Sequence, residues 1–541
     1  MQESLFTRLL RSPRLEGALL VLLIGFALWP IWGYAYFLTN DGPCHLYNAG
    51  ILRDMLLGRN TELWSNWYSP NNHLDPNWLC HFLLMALQMV LPANLAEKVF
   101  LSGYVLGFVL GFRYLSRSIH KENGSLAFLA LPLAYNKVLL FGFFNFAASI
   151  AVVFFVLGFW LRHRNSTNWR HWLKFGFLLL LLLFTHAMGY MLGMATIACH
   201  GIGEWLLGLL ASDRRTVHRA FFRKIGLGLL AALPSMVILI VFLSGQDTTA
   251  VPSQLKLHKL FHDFIELRSL ILFENGEAAW PIVLSVAIGL GTLVGLMRLR
   301  RPGLGHEGLL LMLLVSVYMF FNQPALVGRA AIMPERLQAI PFLLCMIWLA
   351  CQKLPLAVRK GAVLVGTVVT VMLLLVRLPH HALTSEAVEE WMSAADHIEP
   401  NKTIVTLNYA PEGRYPNEET VLSSEAYIFG HTTEYLGTVK PLVILNNYEA
   451  NTTWFPLRWL PNRDPYVHLI DGPGFEGWLP MAEFRRFQIL TGATVDYVIT
   501  WCLTESLRSF KDVETMQARL REDYDEIFVS DGNRIRLWRR R

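Results

Sequence analysis

The sequence predicts a mainly α-helical, polytopic membrane bundle followed by a small α/β domain. Hydrophobic residues make up 54% of the 541 residues, and the mean hydropathy is +0.38. Apolar runs of spanning length recur as far as Leu378, whereas clustered charges and short alternating runs begin near His380. Because a membrane-spanning helix needs about 20 apolar residues, only the first part can form a bundle in the bilayer. We therefore expect a membrane domain at 1–379 and a second domain at 380–541.

Length and hydropathy predict about eleven spans. The first span follows basic residues, as a signal sequence does, but it lacks a small-residue cleavage site, so we expect it to remain as an anchor. The spans are placed at 17–38, 95–112, 124–139, 143–161, 172–186, 188–210, 221–244, 280–297, 308–322, 337–351 and 361–378.

Basic residues alternate between the two sides of this scheme. The segments on the N-terminal side are rich in arginine and lysine, whereas the opposite short segments hold few. Cytoplasmic loops carry the excess of basic residues, so the N-terminus is predicted to be cytoplasmic. An odd number of spans then places the C-terminal domain outside the membrane, on the periplasmic or extracellular face. A bacterial plasma membrane is the expected location.

A short apolar run complicates the count. Residues 77–91 follow Asp75-Pro76, end before Pro92 and number only about fifteen, a length typical of a re-entrant or interfacial helix. If they formed a span, every later basic loop would face the wrong side. We therefore place them inside one long outer loop, 39–94.

The residues after His380 have the pattern of a small mixed α/β domain. Short strands are predicted at 403–407, 442–445 and 495–500, helices at 386–397, 481–490 and 511–522, and a hairpin around Asp531-Gly532-Asn533. This region has no glycine-rich phosphate loop, nucleophile elbow or metal-spaced His or Cys set. We expect it to handle an acceptor or to support the membrane domain.

The outer loop begins with Thr39-Asn40-Asp41-Gly42-Pro43-Cys44-His45. Proline suits the first position of a helix, so Pro43 predicts a helix that begins here, with Asp41 or Gly42 as its cap. Apolar residues from Leu46 to Leu56 recur at helical spacing, which is typical of an interfacial helix. Asp41 has two interpretations at this stage: a carboxylate held for chemistry at the membrane surface, or a helix cap only.

Other polar residues lie at the outer ends of the spans. Ionisable groups near lipid usually face a protein interior or a wet cavity, so the pattern predicts an outward-facing cavity. Individually, His186 can be a hydrogen-bonded core histidine, Lys137 can extend to the interface, and Arg329 and Arg336 can anchor a span at headgroups. The full set is Asp41, His45, His73, Asp75, Asn136, Lys137, Asn145, His186, Glu274, Arg329, Glu335 and Arg336.

This layout resembles the GT-C superfamily of integral membrane glycosyltransferases, which use sugars linked to polyprenyl phosphate. The resemblance rests on the Asp-bearing loop 41–47, the turns 75–79 and 91–95, the basic turn 113–121 with the segment 131–137, and the C-terminal domain. It covers most of the chain as architecture, but its residue-level motifs lie within 39–145.

The resemblance implies transfer of a sugar, of the inverting kind, from a polyprenyl-phosphate donor to a lipid or glycan acceptor at the outer face. It implies that Asp41 is the general base and that His45 orients Asp41 or the acceptor. Lys137, Arg329 and Arg336 are candidates to hold the donor phosphate. Remaining candidates for substrate contacts are His73, Asp75, Asn145 and His186.

The need for a metal ion stays open. Several members of the superfamily have a second acidic residue beside the loop aspartate, but Gly42 follows Asp41 here. His45 and Asp75 are candidate ligands without a recognised spacing, so the sequence assigns no cofactor with certainty.

Two other classes of function fit part of the pattern. A transporter or flippase for a lipid-linked or anionic substrate would also gather charges in a cavity, although the chain has no internal repeat. A non-catalytic scaffold with an outer binding domain would account for the C-terminal residues but not for the polar residues at the span ends. The net charge of +6 is modest and implies no nucleic-acid partner.

Overall fold

The chain forms two compact units in the computed structural model, which describes residues 12–209, 214–247, 249–297, 306–327, 332–415, 421–471 and 479–541. The first unit comprises residues 1–29, 102–139 and 144–376. The second comprises 30–101, 140–143 and 377–541, so the outer loop belongs to the same unit as the C-terminal residues. The predicted boundary at residue 379 lies close to the change of unit at Arg377, and the domain division stays a prediction.

Six helices in the described ranges are long and apolar enough to cross a membrane, so the protein is an integral membrane protein. Each of them coincides with a predicted span. They are Arg14–Trp32, Ala93–Ser116, Phe144–His163, Arg214–Ser244, Asn275–Met297 and Leu356–His397.

Four further predicted spans also coincide with helices, which are shorter or less apolar. Helix Phe144–His163 packs against the first two of them. The exact number of spans stays a prediction. These helices are Trp169–Thr185, Ala187–Gly208, Gly308–Phe321 and Met333–Ala350.

The prediction of one spanning helix at 124–139 is wrong. This stretch is divided into the short pieces Lys121–Leu126, Ala127–Ala130, Pro132–Ala134 and Lys137–Leu140. Pro132 has no N–H for a helical bond, and Tyr135 leaves the helical region with φ −100° and ψ 84°. The Tyr104 hydroxyl donates to the Ala134 carbonyl at 2.9 Å, and this bond satisfies an oxygen that a continuous helix would have paired.

The remaining elements of the first unit are small. Helix Leu257–Glu266 precedes the 3₁₀ turns Arg268–Leu270 and Asn275–Glu277, and strand Ala250–Val251 pairs antiparallel with Leu326–Val327.

The second unit contains a five-stranded mixed sheet. Its strands are ordered Val443–Ile444, Thr403–Asn408, Tyr497–Trp501, Ile535–Arg540 and Tyr524–Val529. The first three run parallel and the last three antiparallel. Every residue of the second and third strands is buried, which explains why the sequence pattern revealed them.

Several elements predicted for the C-terminal residues are confirmed. The hairpin forms between Tyr524–Val529 and Ile535–Arg540, and helices occupy Phe484–Thr491 and Lys511–Asp523. The prediction of a separate helix at 386–397 is wrong. One helix runs from Leu356 to Met392 with Pro379 inside it, and the 3₁₀ turn Ser393–His397 follows. The shorter helices are Glu434–Val439, Glu449–Asn451, Pro465–His468 and Leu507–Ser509.

The outer loop folds into three helices and a strand. The predicted first helix is confirmed as Gly42–Leu57, and it is followed by Thr61–Ser65. Helix Leu79–Gln88 has 10 residues, which agrees with the prediction that this run is too short to span. Strand Tyr68–Pro70 pairs antiparallel with Leu457–Trp459 of the C-terminal residues.

Candidate functional site

The backbone at Asp41 is held by the short segment 140–143 of the same unit. The Asn40 N–H donates to the Leu140 carbonyl at 2.9 Å, and the Asp41 N–H donates to the Phe141 carbonyl at 3.2 Å. Gly142 adopts φ +76°, a conformation that favours glycine. A Cβ atom on Gly142 would lie 2.5 Å from the Asp41 nitrogen, so this close approach requires glycine.

The Asp41 side chain does not cap the helix that begins after it. Although Asp41 occupies the N-cap position, its carboxylate makes no capping hydrogen bond. It instead accepts a bond of 2.8 Å from Asn40 Nδ2 and one from the Tyr448 side chain. The interpretation of Asp41 as a helix cap only is therefore not supported by its contacts.

A buried histidine approaches Asp41 from the C-terminal residues. His431 Nε2 lies 3.8 Å from Asp41 Oδ1, and His431 Nδ1 lies 3.4 Å from Glu434 Oε1. The rings of His431 and Tyr448 are 4.5 Å apart, and Gly430 N–H donates to Asn40 Oδ1 at 3.0 Å. The loop that carries His431 is thus joined to the residue next to Asp41.

Burial raises the pKa of Asp41, because removal from water penalises the charged carboxylate. His431, His45 and the bond from Tyr448 oppose this effect without cancelling it. Asp41 is 6% exposed. The result is a carboxylate with increased affinity for a proton and a fixed orientation.

Next to Asp41, three buried side chains meet in a second cluster, formed by His45, His81 and Glu449. His45 Nδ1 lies 3.1 Å from His81 Nε2 and contacts Glu449 Oε1. His81 Nε2 lies 2.9 Å from Glu449 Oε2. We call these three residues the His-His-Glu cluster; its potential ligand atoms all lie within 4.8 Å of one another, so they could hold a metal ion.

Neighbouring groups orient the members of this cluster. His45 Nε2 donates to the Gly142 carbonyl at 3.0 Å, and Asn48 Nδ2 donates to Glu449 Oε2 at 2.6 Å. Asn48 and Asn447 also exchange two hydrogen bonds, of 3.0 and 2.7 Å, and so join the first outer helix to the turn that carries Glu449.

The charges of the cluster are strongly coupled. Burial acts to lower the pKa of His45, but the adjacent Glu449 carboxylate outweighs burial and raises it. For His81, burial prevails and lowers the pKa. Burial acts to raise the pKa of Glu449, but His45 and His81 hold it below its usual range. The two histidines thus stabilise the charged form of the Glu449 carboxylate.

The two other outer-loop residues predicted for the site lie between strand Tyr68–Pro70 and helix Leu79–Gln88. His73 is exposed and its backbone N–H donates to Asn71 Oδ1 at 3.1 Å, whereas Asp75 is half-buried and accepts from Asn71 Nδ2 at 3.1 Å. In the described part of the chain, neither residue contacts Asp41 or the His-His-Glu cluster.

The predicted residues after position 136 belong to the first unit. Lys137 and Asn145 are buried. His186 lies 5.2 Å from Phe146 between ring centroids, and the Arg336 guanidinium lies 5.5 Å from the same ring. His186 also accepts from Met188 N–H at 3.1 Å and thus caps helix Ala187–Gly208. Arg329 lies outside the described residues.

The structure thus brings together His186 and Arg336 around Phe146 in one unit, and Asp41 and His45 in the other. The sequence analysis missed His81, His431, Tyr448 and Glu449. The last two lie shortly after strand Val443–Ile444, and polar residues near the carboxyl ends of parallel strands are a known signal for a site. That signal could have identified them.

Comparisons with known proteins bear on the fold. No protein-family model matches the chain, and no curated protein matches it. The crystal structure of ArnT from Cupriavidus metallidurans in the apo state is similar with a TM-score of 0.55 and 11% identity, over 96% of this chain and 98% of ArnT. ArnT has the GT-C fold, and this chain therefore has the fold of GT-C membrane glycosyltransferases.

Two other solved structures are similar at a lower level. AglB from Archaeoglobus fulgidus, in complex with an inhibitory peptide and a dolichol-phosphate, matches with a TM-score of 0.47 and 12% identity, over 98% of this chain and 74% of AglB. The arabinofuranosyltransferase AftD from Mycobacteria matches with a TM-score of 0.42 and 13% identity, over 94% of this chain and 40% of AftD.

Proposed function

We propose that this protein is a membrane glycosyltransferase that moves a sugar from a polyprenyl-phosphate donor to a lipid or glycan acceptor at the outer face. The observation that carries the proposal is Asp41, whose backbone is held by segment 140–143 and whose buried carboxylate is not used as a helix cap. The GT-C fold is the second support. A purely structural aspartate at this position would be expected to cap the helix.

The proposed reaction needs one base and one cation. The acceptor hydroxyl attacks the anomeric carbon and loses its proton to Asp41, while the bond between the anomeric carbon and the phosphate oxygen breaks. The polyprenyl phosphate leaves with the bonding electrons. Since burial raises the proton affinity of Asp41, its carboxylate is better suited to accept this proton than an exposed aspartate.

The neighbours of Asp41 have positioning roles in this proposal. Tyr448 and Asn40 donate to the carboxylate. One ring nitrogen of His431 faces the Asp41 carboxylate and the other faces Glu434, so His431 is a further polar neighbour of Asp41. His45 has both ring nitrogens in contact with other groups, so we assign it the role of placing the helix start rather than of exchanging protons with the acceptor.

The leaving phosphate requires a positive partner as its charge develops. Lys137, Arg336 and Arg329 are the proposed partners. Replacing the phosphate-binding residue by methionine is expected to raise the apparent KM for the donor more than it lowers kcat. The measurement is donor-dependent release of polyprenyl phosphate by the purified protein. The control is Lys174→Met, an exposed residue near the predicted cytoplasmic end of helix Trp169–Thr185.

The same assay tests the function itself. Wild-type protein is incubated with a panel of polyprenyl-phosphate sugars and lipid acceptors, and products are identified by mass spectrometry. Donor consumption that depends on acceptor supports sugar transfer. Movement of intact donor across a liposome membrane without cleavage would instead mean a flippase, and equal donor dependence in all the cation variants would mean that other residues hold the phosphate.

The proposal also requires that Asp41 faces the outer side. The predicted orientation places the N-terminus and the segment around Arg214 in the cytoplasm and Arg541 outside. A reporter that is active only outside the membrane should be active when fused after Arg541 and inactive when inserted near Arg214. An inactive C-terminal fusion, or an active insertion near Arg214, would contradict both the orientation and the proposed face of the reaction.

A further inference from the structure

We propose that a basic cavity in the first unit binds the phosphate headgroup of an anionic phospholipid. The cavity has a volume of about 520 Å³ and lies where helix Ala93–Ser116 and helix Phe144–His163 end. Four cationic side chains line it, together with aromatic and aliphatic ones. The cationic residues are Arg113, Arg117, Lys121 and Arg162, and beside them lie Tyr114 and Leu110.

The positive charge of this cavity is neutralised only in part. Arg113 Nη1 pairs with Glu16 Oε1 at 2.9 Å. Within the described ranges, Arg117, Lys121 and Arg162 form no ion pair, so three of the four cations keep their full charge toward the cavity. Like charges gathered in one cavity repel each other, and an anion bound between them removes that repulsion. The charge balance therefore favours an anionic ligand.

Two of the arginines are held in place by their neighbours. The Arg162 guanidinium lies 3.9 Å from the centroid of the Tyr114 ring, and its Nη2 donates to the Tyr114 carbonyl at 3.0 Å. The stem of Arg117 lies against the backbone of Gly124, where a Cβ atom would be 2.9 Å from Arg117 Cδ. A guanidinium whose plane is already fixed loses little entropy when it binds two phosphate oxygens, which suits these arginines to a phosphate group.

The helix ends at the cavity do not repel an anion through open carbonyl groups. Unpaired carbonyls at a helix C-terminus carry partial negative charge. The Tyr114 carbonyl accepts from Arg162 and also from Ser118 Oγ at 3.1 Å, and the Arg113 carbonyl accepts from Ser116 Oγ at 3.0 Å. The basic side chains therefore determine the potential in the cavity.

The apolar surface next to the cavity indicates that the phosphate belongs to a lipid. Leu110 lines the cavity and Leu106 precedes it by one helical turn, and these side chains are 45% and 37% exposed. Helix Ala93–Ser116 is long and apolar enough to cross a membrane, so its exposed leucines lie at the level of acyl chains. A lipid with its headgroup in the cavity can therefore lay an acyl chain along Leu110 and Leu106. Basic pockets at the cytoplasmic ends of membrane helices are suited to anionic headgroups, and this end is predicted to be cytoplasmic.

The cavity differs from an ordinary excess of basic residues on the cytoplasmic side. Arg164 and Lys224 belong to the same predicted side, but both pair with Glu204, at 3.0 and 2.5 Å. Their charges are used within the protein. The charges of Arg117 and Lys121 instead face a space that is large enough for a headgroup.

The test is native mass spectrometry of delipidated full-length protein with phosphatidylglycerol and phosphatidylcholine at equal concentration. We expect one phosphatidylglycerol to bind about tenfold more tightly than phosphatidylcholine, because only phosphatidylglycerol carries a net negative charge. Each basic residue near an anionic lipid strengthens binding by about fivefold, so Arg117→Gln and Lys121→Gln together should weaken phosphatidylglycerol binding by about 25-fold. Arg117→Lys keeps the charge and should retain most of the binding.

Arg219→Gln is the matched control, because Arg219 is exposed in helix Arg214–Ser244 on the same predicted side of the membrane. It should bind phosphatidylglycerol as the parent does. Arg117 and Lys121 are themselves exposed, so thermal unfolding of the double variant without lipid should match that of the parent. Equal binding of the two lipids by the parent, or equal losses in the double variant and the control, would overturn the proposal.

Glycerol phosphate distinguishes a lipid from a soluble anion, because it has the headgroup phosphate without acyl chains. It should displace phosphatidylglycerol only at about 100-fold higher concentration, which corresponds to burial of about three to four methylene groups. Equal potency of glycerol phosphate or inorganic phosphate would mean that the cavity binds a soluble phosphate and would overturn the lipid assignment. This proposal does not rest on the proposed reaction, because binding is measured without sugar donor or acceptor.

Discussion

Asp41→Asn is expected to lower sugar transfer by about two to four orders of magnitude, which is the usual contribution of a general base. Asparagine has nearly the same size as aspartate, but its amide cannot take the proton of the acceptor hydroxyl. Its side-chain oxygen can still accept from Asn40 Nδ2 or Tyr448. Thermal unfolding should therefore stay close to that of the parent, whereas initial rates of polyprenyl phosphate release should fall.

Asp512→Asn is the control for this variant. Asp512 is exposed in helix Lys511–Asp523, and the substitution removes the same charge as Asp41→Asn does. Its rate should equal that of the parent. Asp41→Ala should also lose activity, and in addition it should lose about 1–3 kcal/mol of stability, since two buried donors lose their acceptor. Normal transfer by a folded Asp41→Asn protein would remove Asp41 from the mechanism.

Gly142→Ala is expected to have the second-largest effect, on stability and activity together. An alanine at φ +76° costs about 1–2 kcal/mol, and overpacking adds about 1–3 kcal/mol. The new Cβ would lie 2.5, 2.6 and 2.9 Å from backbone atoms of Asp41 and Gly42, which cannot rotate away. A displacement of Asp41 by about 1 Å would lower transfer by about 100-fold.

Gly492→Ala separates these two contributions. Gly492 has nearly the same backbone angle, φ +70°, but a Cβ there meets nothing within 4 Å. It should lose about 1–2 kcal/mol of stability for the backbone conformation alone and keep full activity. Equal losses in the two variants, measured by denaturant unfolding and initial rates, would mean that the contact with Asp41 has no special role.

The sequence predicted the elements that depend on local pattern. Pro43 marked the start of helix Gly42–Leu57, and the apolar runs around Ile404 and Val498 marked two buried strands. Local rules failed at two prolines. At Pro132, hydropathy predicted a span, but the missing N–H interrupts the helix. At Pro379, the pattern predicted the end of a span and a separate helix beyond it, but the residue lies inside one continuous helix.

The candidate site could be predicted only in part, because most of its contacts are long-range. Asp41 and His45 lie one turn apart on one helix, so their proximity follows from the sequence. Their partners His431, Tyr448 and Glu449 are separated from them by hundreds of residues, and no spacing rule connects them. The C-terminal residues were expected to provide support or acceptor contacts, but they also supply direct neighbours of Asp41.

The pairing of strand Tyr68–Pro70 with Leu457–Trp459 has a consequence for the chain during its synthesis. The nearby bond from Asn71 to the Phe455 carbonyl joins residues 384 positions apart. At a synthesis rate of about 5–20 residues per second, the outer loop waits for roughly 20–80 seconds before its partner strand exists. During that interval Tyr68 and its neighbours have an unpaired edge, so we infer that the nascent chain needs a holding factor or rapid membrane contact until translation ends.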